Sequence, residues 1–222
     1  MMQRIPEPVL MVGKDQCYEF ANAHALRAHV RYAFVEWLFA KIPMHGNIAD
    51  LGCGSGELLI DICRADNDAN KFNIVGFDGS SVMLEHANLA ISHHNLQSRI
   101  TTKNLLFENI TQNDFDVAIS CITLHHQHNP LEFWDIIKRI TKRPGHVLVM
   151  DLIRPNTEND VDQLIKTNAS DWSQLYQQDY KNSLLAAFSL AEIQQQLNAS
   201  GLGHLSIQVD PNDEMAFIYG KI

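Results

Sequence analysis

Long hydrophobic runs, paired cysteines and an excess of positive charge are all missing from this sequence, and each absence removes a class of protein. No apolar stretch approaches the ~18 residues of a membrane span. The opening MMQRIPEPVLMVGKDQ also lacks the apolar core of roughly 7–15 residues and the small-residue cleavage site of a secretory leader. Neither secretion nor membrane insertion is expected. The four cysteines, Cys17, Cys53, Cys63 and Cys121, form no CxxC pair and no small disulfide framework, so reduced thiols in a cytoplasm are expected. Against 17 Lys and Arg stand 26 Asp and Glu, a net charge of −9, which repels a phosphate backbone and makes nucleic acid an unfavoured partner. Internal repeats, low-complexity tracts and Gly/Ser linkers are absent too. With 45% hydrophobic residues over 222 positions, a single domain with a real core is expected.

What the sequence does contain is an alternation of short apolar runs and helical periodicities. Residues 16–41 carry Phe20, Ala23, Val30, Phe34, Trp37 and Leu38 near helical spacing, which predicts one or two amphipathic helices ended by Pro43 and Gly46. Buried strands are then expected at Asn47–Leu51, Phe72–Phe77, Arg99–Leu106, Phe115–Ser120 and His146–Asp151, the last entered through a turn at Pro144–Gly145. Two more are expected at Leu205–Val209 and Met215–Tyr219. Helix starts are marked by Ser80 or Ser81, by Asn129–Pro130 and by the Ser189/Glu192 capping box, with Gly201 as a stop. Nearly all-apolar strands alternating with helices imply a mostly parallel sheet covered on both faces, with its ligand beyond the carboxyl ends of the strands.

That ligand edge carries Asp50-Leu51-Gly52-Cys53-Gly54-Ser55-Gly56. Glycines there allow a tight turn and close approach of a ligand to backbone. The dinucleotide fingerprint G-x-G-x-x-G/A fails because Glu57 occupies its third position, and GxxxxGK[ST] fails because Glu57 stands five residues after Gly52 with no Lys-Ser/Thr pair. Nicotinamide, flavin and nucleoside triphosphates are thereby unfavoured. An acidic residue followed by GxGxG, together with Asp78 ending VGFD, FDVAISCITLHH and KRPGHVLVMDLIRP, resembles the class I S-adenosylmethionine-dependent methyltransferases. The resemblance covers about residues 47–155.

It implies an α/β Rossmann-like three-layer sandwich, with a mostly parallel seven-stranded sheet, helices on both faces and an N-terminal helical extension. Residues 1–45 would form the N-terminal helices, 46–151 the cofactor-binding core, and 152–222 a lid or substrate segment with the C-terminal strands. S-adenosylmethionine is the implied cofactor; it carries a sulfonium and an ammonium but no pyrophosphate, which suits acidic side chains better than a phosphate cradle. By resemblance, the Gly52, Cys53 and Gly54 backbone meets its methionine part and Asp78 its ribose. Gly79, Ser80 and Met83 lie beside ribose or adenine, Asn104 and Leu105 border adenine, and Ser120 and Cys121 approach the methionine end. Asp50 is expected to order the loop or to meet the ammonium through water, and Tyr18 to act as a lid contact.

The acceptor is less legible. His125 and His126, with His128 beyond them, follow the fourth strand and are candidates for a general base or a substrate ligand. No carboxylate or cysteine stands at ligand spacing beside them, so no metal site is expected. The segment from Arg154 to Ser189 carries Trp172, Tyr176, Tyr180, Asn182 and Phe188 and reads as a lid or pocket wall, with Arg154 and Tyr180 as substrate contacts. The [DN]PP[FYW] motif of enzymes that methylate exocyclic amines of DNA bases is replaced by Ser120-Cys121-Ile122-Thr123, and the Pro-Cys pair of cytosine-C5 enzymes is absent. A small-molecule acceptor is the favoured expectation. An RNA or protein acceptor, and a non-catalytic cofactor-binding regulatory module, remain alternatives, and the sequence is silent on oligomeric state.

Overall fold

The computed structural model describes residues 2–7, 28–66, 71–211 and 214–222. Seven strands form one sheet: β1 (Gly46–Leu51), β2 (Phe72–Asp78), β3 (Ile100–Asn104), β4 (Phe115–Cys121), β5 (Thr141–Leu152), β6 (Ser206–Val209) and β7 (Met215–Lys221). Their order is β3-β2-β1-β4-β5-β7-β6. The first five run parallel, and β7 is antiparallel to both β5 and β6. Seven α-helices accompany them among the described residues: α1 (Ala28–Lys41), α2 (Glu57–Ala65), α3 (Ser81–His93), α4 (Pro130–Ile140), α5 (Glu158–Asn168), α6 (Gln174–Ala186) and α7 (Leu190–Ala199). None is long and apolar enough to cross a membrane.

The three layers follow from the two-residue period of the strands. Ile48, Val117, Leu148 and Phe217 face one side, where Phe34 and Leu38 of α1, Leu59 and Ile62 of α2 and Ile91 of α3 pack on them. Their neighbours Ala49, Ala118, Val149 and Ile218 face the other, covered by Phe133 and Ile137 of α4 and Ile193 and Leu197 of α7. Residues adjacent in sequence thus enter opposite cores, which is why these strands read as continuous apolar runs.

Caps follow the sequence signals closely. Ser80 Oγ accepts from Met83 N, Asn129 Oδ1 from Leu131 N, and Ser189 and Glu192 form a reciprocal capping box. The entry to β5 differs from expectation. Pairing jumps from Phe115↔Thr141 to Val117↔His146, so residues 142–145 form a bulge inside one long strand rather than a turn before it. The N-terminal helical expectation is met at α1, whereas Phe20, Ala23 and Tyr18 lie outside the described residues.

Order reverses beside β1, since β2 and β3 lie on one side of it and β4 and β5 on the other. Loops leaving β1 and β4 therefore diverge, opening a crevice at their carboxyl ends.

Candidate active site

A cavity of about 630 Å³ occupies that crevice. Its floor is the glycine loop after β1. Gly52 has φ +81°, and a Cβ there would lie 2.3 Å from Thr123 Oγ1. Gly56 has φ +83° and brings the start of α2 against Ala87 of α3, where a Cβ would meet the Ala87 Cβ at 2.9 Å. These two positions need both the left-handed backbone and the missing side chain.

Asp78, at the end of β2, fixes the loop. Its Oδ2 accepts from Gly54 N at 2.8 Å and its Oδ1 from Ser80 N at 2.8 Å. Burial pushes its pKa up, and the two backbone donors pull against that shift. Asp50 is different: it is 1% exposed, lines the cavity, and neither carboxylate oxygen has a hydrogen-bond partner among the described residues. Burial first, and then the charge of Asp78, raise its pKa to about 8. Asp50 thus makes no side-chain hydrogen bond to the glycine loop.

Gly79, Ser80, Met83 and Leu105 line the same cavity, as do Cys53 and Cys121. Asn104 and Ser120 do not. Asn104 Nδ2 donates to the Asp78 carbonyl at 3.0 Å, and Ser120 Oγ, fully buried, donates to the Leu51 carbonyl at 2.7 Å. Both side chains tie neighbouring strands together, and because positions along a strand alternate in direction, it is the next residues, Leu105 and Cys121, that line the cavity.

At the opposite end, the loop after β4 forms a short 3₁₀ turn, Leu124–His126. His125 is fully enclosed. Its Nδ1 lies 2.7 Å from Asp151 Oδ1, its backbone N–H donates to Asp151 Oδ2 at 2.9 Å, and its Nε2 makes no hydrogen bond among the described residues. Burial works against the imidazolium, but the charge and hydrogen bond of Asp151 and the charge of Glu7 outweigh it and raise the His125 pKa. Burial likewise opposes ionisation of Asp151, and the His125 contacts hold it below its usual range. His126 Nδ1 lies 2.5 Å from Glu7 Oε2, while Ser183 Oγ donates to Glu7 Oε1 at 2.8 Å.

Glu7 arrives on a strap, residues 2–7, that sequence reasoning missed. Met2 N donates to the Asn156 carbonyl and Ile5 N to the Leu185 carbonyl. Arg4 donates to the carbonyls of Ala186, His125 and Gln127 at 2.6, 2.8 and 3.0 Å, with its guanidinium 4.0 Å from the Phe188 ring centroid. No spacing rule could have found Glu7, which lies 119 positions from His126. Asp151 carried a weak signal, as an acid at the carboxyl end of a buried strand.

The expected pocket wall materialises as α5, α6 and the turn between them. Trp172 stacks on Tyr176 at 4.3 Å and approaches Tyr180 at 5.5 Å, and all three line the cavity. Tyr180 Oη accepts from Asn168 Nδ2 at 3.2 Å. Asn182 instead pairs with Gln178, and Phe188 is buried in the core beneath α4 and α7. Arg154, expected as a substrate contact, does not line this cavity; it donates to Glu192 Oε2 at 2.8 Å and to the Ala187 carbonyl at 3.0 Å. At 8% exposure its charge is spent inside the fold.

A seven-stranded sheet of this order, with an acid-led glycine loop and a second acid ending β2, defines a Rossmann-like methyltransferase of class I, the class that takes its methyl group from S-adenosylmethionine. The methyltransferase domain family matches residues 44–208, and the chain belongs to it. "Putative methyltransferase YqeM" of Bacillus subtilis is 29% identical over 146 residues, 60% of this chain and 53% of that protein. A mitochondrial ubiquinone biosynthesis O-methyltransferase of Dictyostelium discoideum is 30% identical over 122 residues, 49% of this chain and 36% of that protein. These matches therefore span about half or less of the relatives' own lengths. In fold, the chain is similar to a SAM-dependent methyltransferase from Aquifex aeolicus, with a TM-score of 0.68, 14% identity, and 95% and 98% of the two chains covered.

The residues present fit that cofactor. A buried acid without a partner among the described residues, beside a second one, suits a ligand that brings an ammonium and a sulfonium, whereas a pyrophosphate would hold Asp50 uncharged and offer it no cation.

Proposed function

We propose that this chain, as a single methyltransferase domain, methylates a small molecule held between the His125–His126 loop and the aromatic wall of Trp172, Tyr176 and Tyr180. The observation that carries this reading is one continuous cavity that joins the glycine loop to both, with a volume typical of sites that enclose small ligands. S-adenosylmethionine, when bound, supplies an electrophilic methyl group on sulfur. In this reading Asp50 faces the ligand's ammonium, and Asp78 uses its remaining lone pairs on the ribose hydroxyls. Gly52, Cys53, Gly54 and Cys121 border the methionine end, while Gly79, Ser80, Met83 and Leu105 border ribose and adenine. Holding the acceptor in line with the methyl group is the main contribution asked of the protein. His125 and His126 act on the acceptor's proton, and Tyr180 contacts the acceptor.

Electrostatics support a small molecule over RNA. Seven carboxylates line the cavity, and among its described residues Arg31 is its only Arg or Lys, paired with Asp61 at 2.7 Å. A cytoplasmic setting accords with the buried thiols Cys53 and Cys63. The test is transfer of isotopically labelled methyl from S-adenosylmethionine into cell-extract fractions. Label is expected in the low-molecular-weight fraction; label confined to protein or RNA would overturn the small-molecule reading, and cofactor binding with no transfer to any fraction would favour a regulatory module.

A further inference from the structure

Glu7, His125 and His126 each offer a ligand atom, and all three atoms lie within 4.8 Å of one another. Two imidazoles and a carboxylate are a donor set for borderline transition ions, and they do not suit magnesium or calcium, which prefer oxygen. One ligand is already oriented. Asp151 engages His125 Nδ1 at 2.7 Å, leaving Nε2 as the outward nitrogen, the carboxylate–histidine arrangement that fixes metal-bound imidazoles. That Nε2 is buried, has no hydrogen-bond partner among the described residues, and lies 3.8 Å from Glu7 Oε1. A buried ring nitrogen left in this state costs free energy unless something else binds it.

The geometry points to a binding site for a divalent first-row transition cation, zinc foremost, ligated by Glu7, His125 Nε2 and His126 Nδ1, with Asp151 orienting His125. Three protein ligands leave a tetrahedral ion one open position, and both histidines line the acceptor cavity. Such an ion lowers the pKa of an oxygen bound to it. This consequence rests on the acceptor-pocket reading above and states how the two histidines act on the acceptor's proton: the ion acidifies a bound hydroxyl, and the proton passes to water. The binding itself does not depend on that reading. The expectation from sequence that no metal site exists is reversed for a stated reason: the missing carboxylates are remote in the chain and near in the fold.

The experiment is titration of the full-length, chelator-stripped protein with Zn²⁺ by calorimetry and with Co²⁺ by visible absorption. One ion per chain is expected, with a cobalt d–d band. Glu7→Gln and His126→Ala should each weaken Zn²⁺ binding at least tenfold, on the order seen when metal-site groups are removed. These two variants avoid His125, whose loss would strand Asp151 as a buried charge and endanger folding. S-adenosylhomocysteine binding, followed in parallel, confirms that each variant is folded. No stoichiometric Zn²⁺ binding, or binding unchanged in both variants, overturns the metal site and leaves the methyltransferase reading intact. Failure to bind S-adenosylhomocysteine with normal Zn²⁺ binding does the reverse.

Discussion

Asp50 makes a sharp quantitative demand. With its pKa at about 8 against an ordinary value of 3.8, the folded protein without ligand holds a proton there that the unfolded chain has lost. Between those two values the native state binds more protons than the unfolded one, so stability falls as pH rises, and above about pH 8 the loss is complete. Close to four pH units at about 1.4 kcal/mol per unit sets a ceiling of about 5–6 kcal/mol. A ligand ammonium reverses the balance. At pH 7 Asp50 is about nine-tenths protonated, and pairing it with a cation ionises it, so cofactor binding should release between about a half and one proton and tighten toward pH 8. Calorimetric titration with S-adenosylhomocysteine in phosphate, HEPES and Tris, whose ionisation enthalpies differ, measures that number directly. Asp50→Asn should abolish the release, flatten the pH dependence of stability between pH 5 and 8, and stabilise the ligand-free protein at pH 8. Proton release near zero in the parent protein, or equal release in Asp50→Asn, would refute the argument.

Other positions give separate tests. Asp78→Ala removes a charged acceptor and unties Gly54, so cofactor affinity should fall by about 1.5–3 kcal/mol; an unchanged dissociation constant would make Asp78 a loop fastener only. Gly52→Ala drives a Cβ into Thr123 at a left-handed backbone position, with an expected cost of about 1–3 kcal/mol in denaturation experiments. Ser120→Ala, by contrast, loses one interstrand hydrogen bond, about 1 kcal/mol of stability, with cofactor affinity unaltered. S-adenosylhomocysteine should raise the melting temperature and NAD should not; a shift with NAD alone would count against the cofactor assignment.

Strand and helix order was legible because the central strands are mostly buried on both faces and five helix starts carry a side-chain cap, both of which are written within a few residues. Bulging at residues 142–145 was not, since pairing register depends on a partner strand. At the cofactor end, Gly52, Gly54 and Asp78 were readable because β1 and β2 deliver them within one turn of their strand ends. Asn104 and Ser120, expected beside the ligand, direct their side chains to backbone carbonyls instead of lining the cavity: position at a strand end is legible, but which face a side chain takes depends on the sheet. At the acceptor end, His125 and His126 stood out as a pair, while Glu7 and Asp151 became their partners only through tertiary contacts. Arg154 looked free in sequence and is bound to Glu192, an acid that also caps α7.

The strap of residues 2–7 also fixes a sequence of events. Synthesis proceeds from the N-terminus, so Glu7 leaves the ribosome ahead of Asn156, Leu185 and Ala186, to which the strap is fastened and which follow well over a hundred residues later. Closing so long a loop is entropically unfavourable before the sheet has formed to bring its ends together. The cofactor end of the site, built from β1 to β4, can therefore form before the acceptor end, whose histidines gain their Glu7 partner only once the strap has folded back onto residues made well over a hundred positions after it.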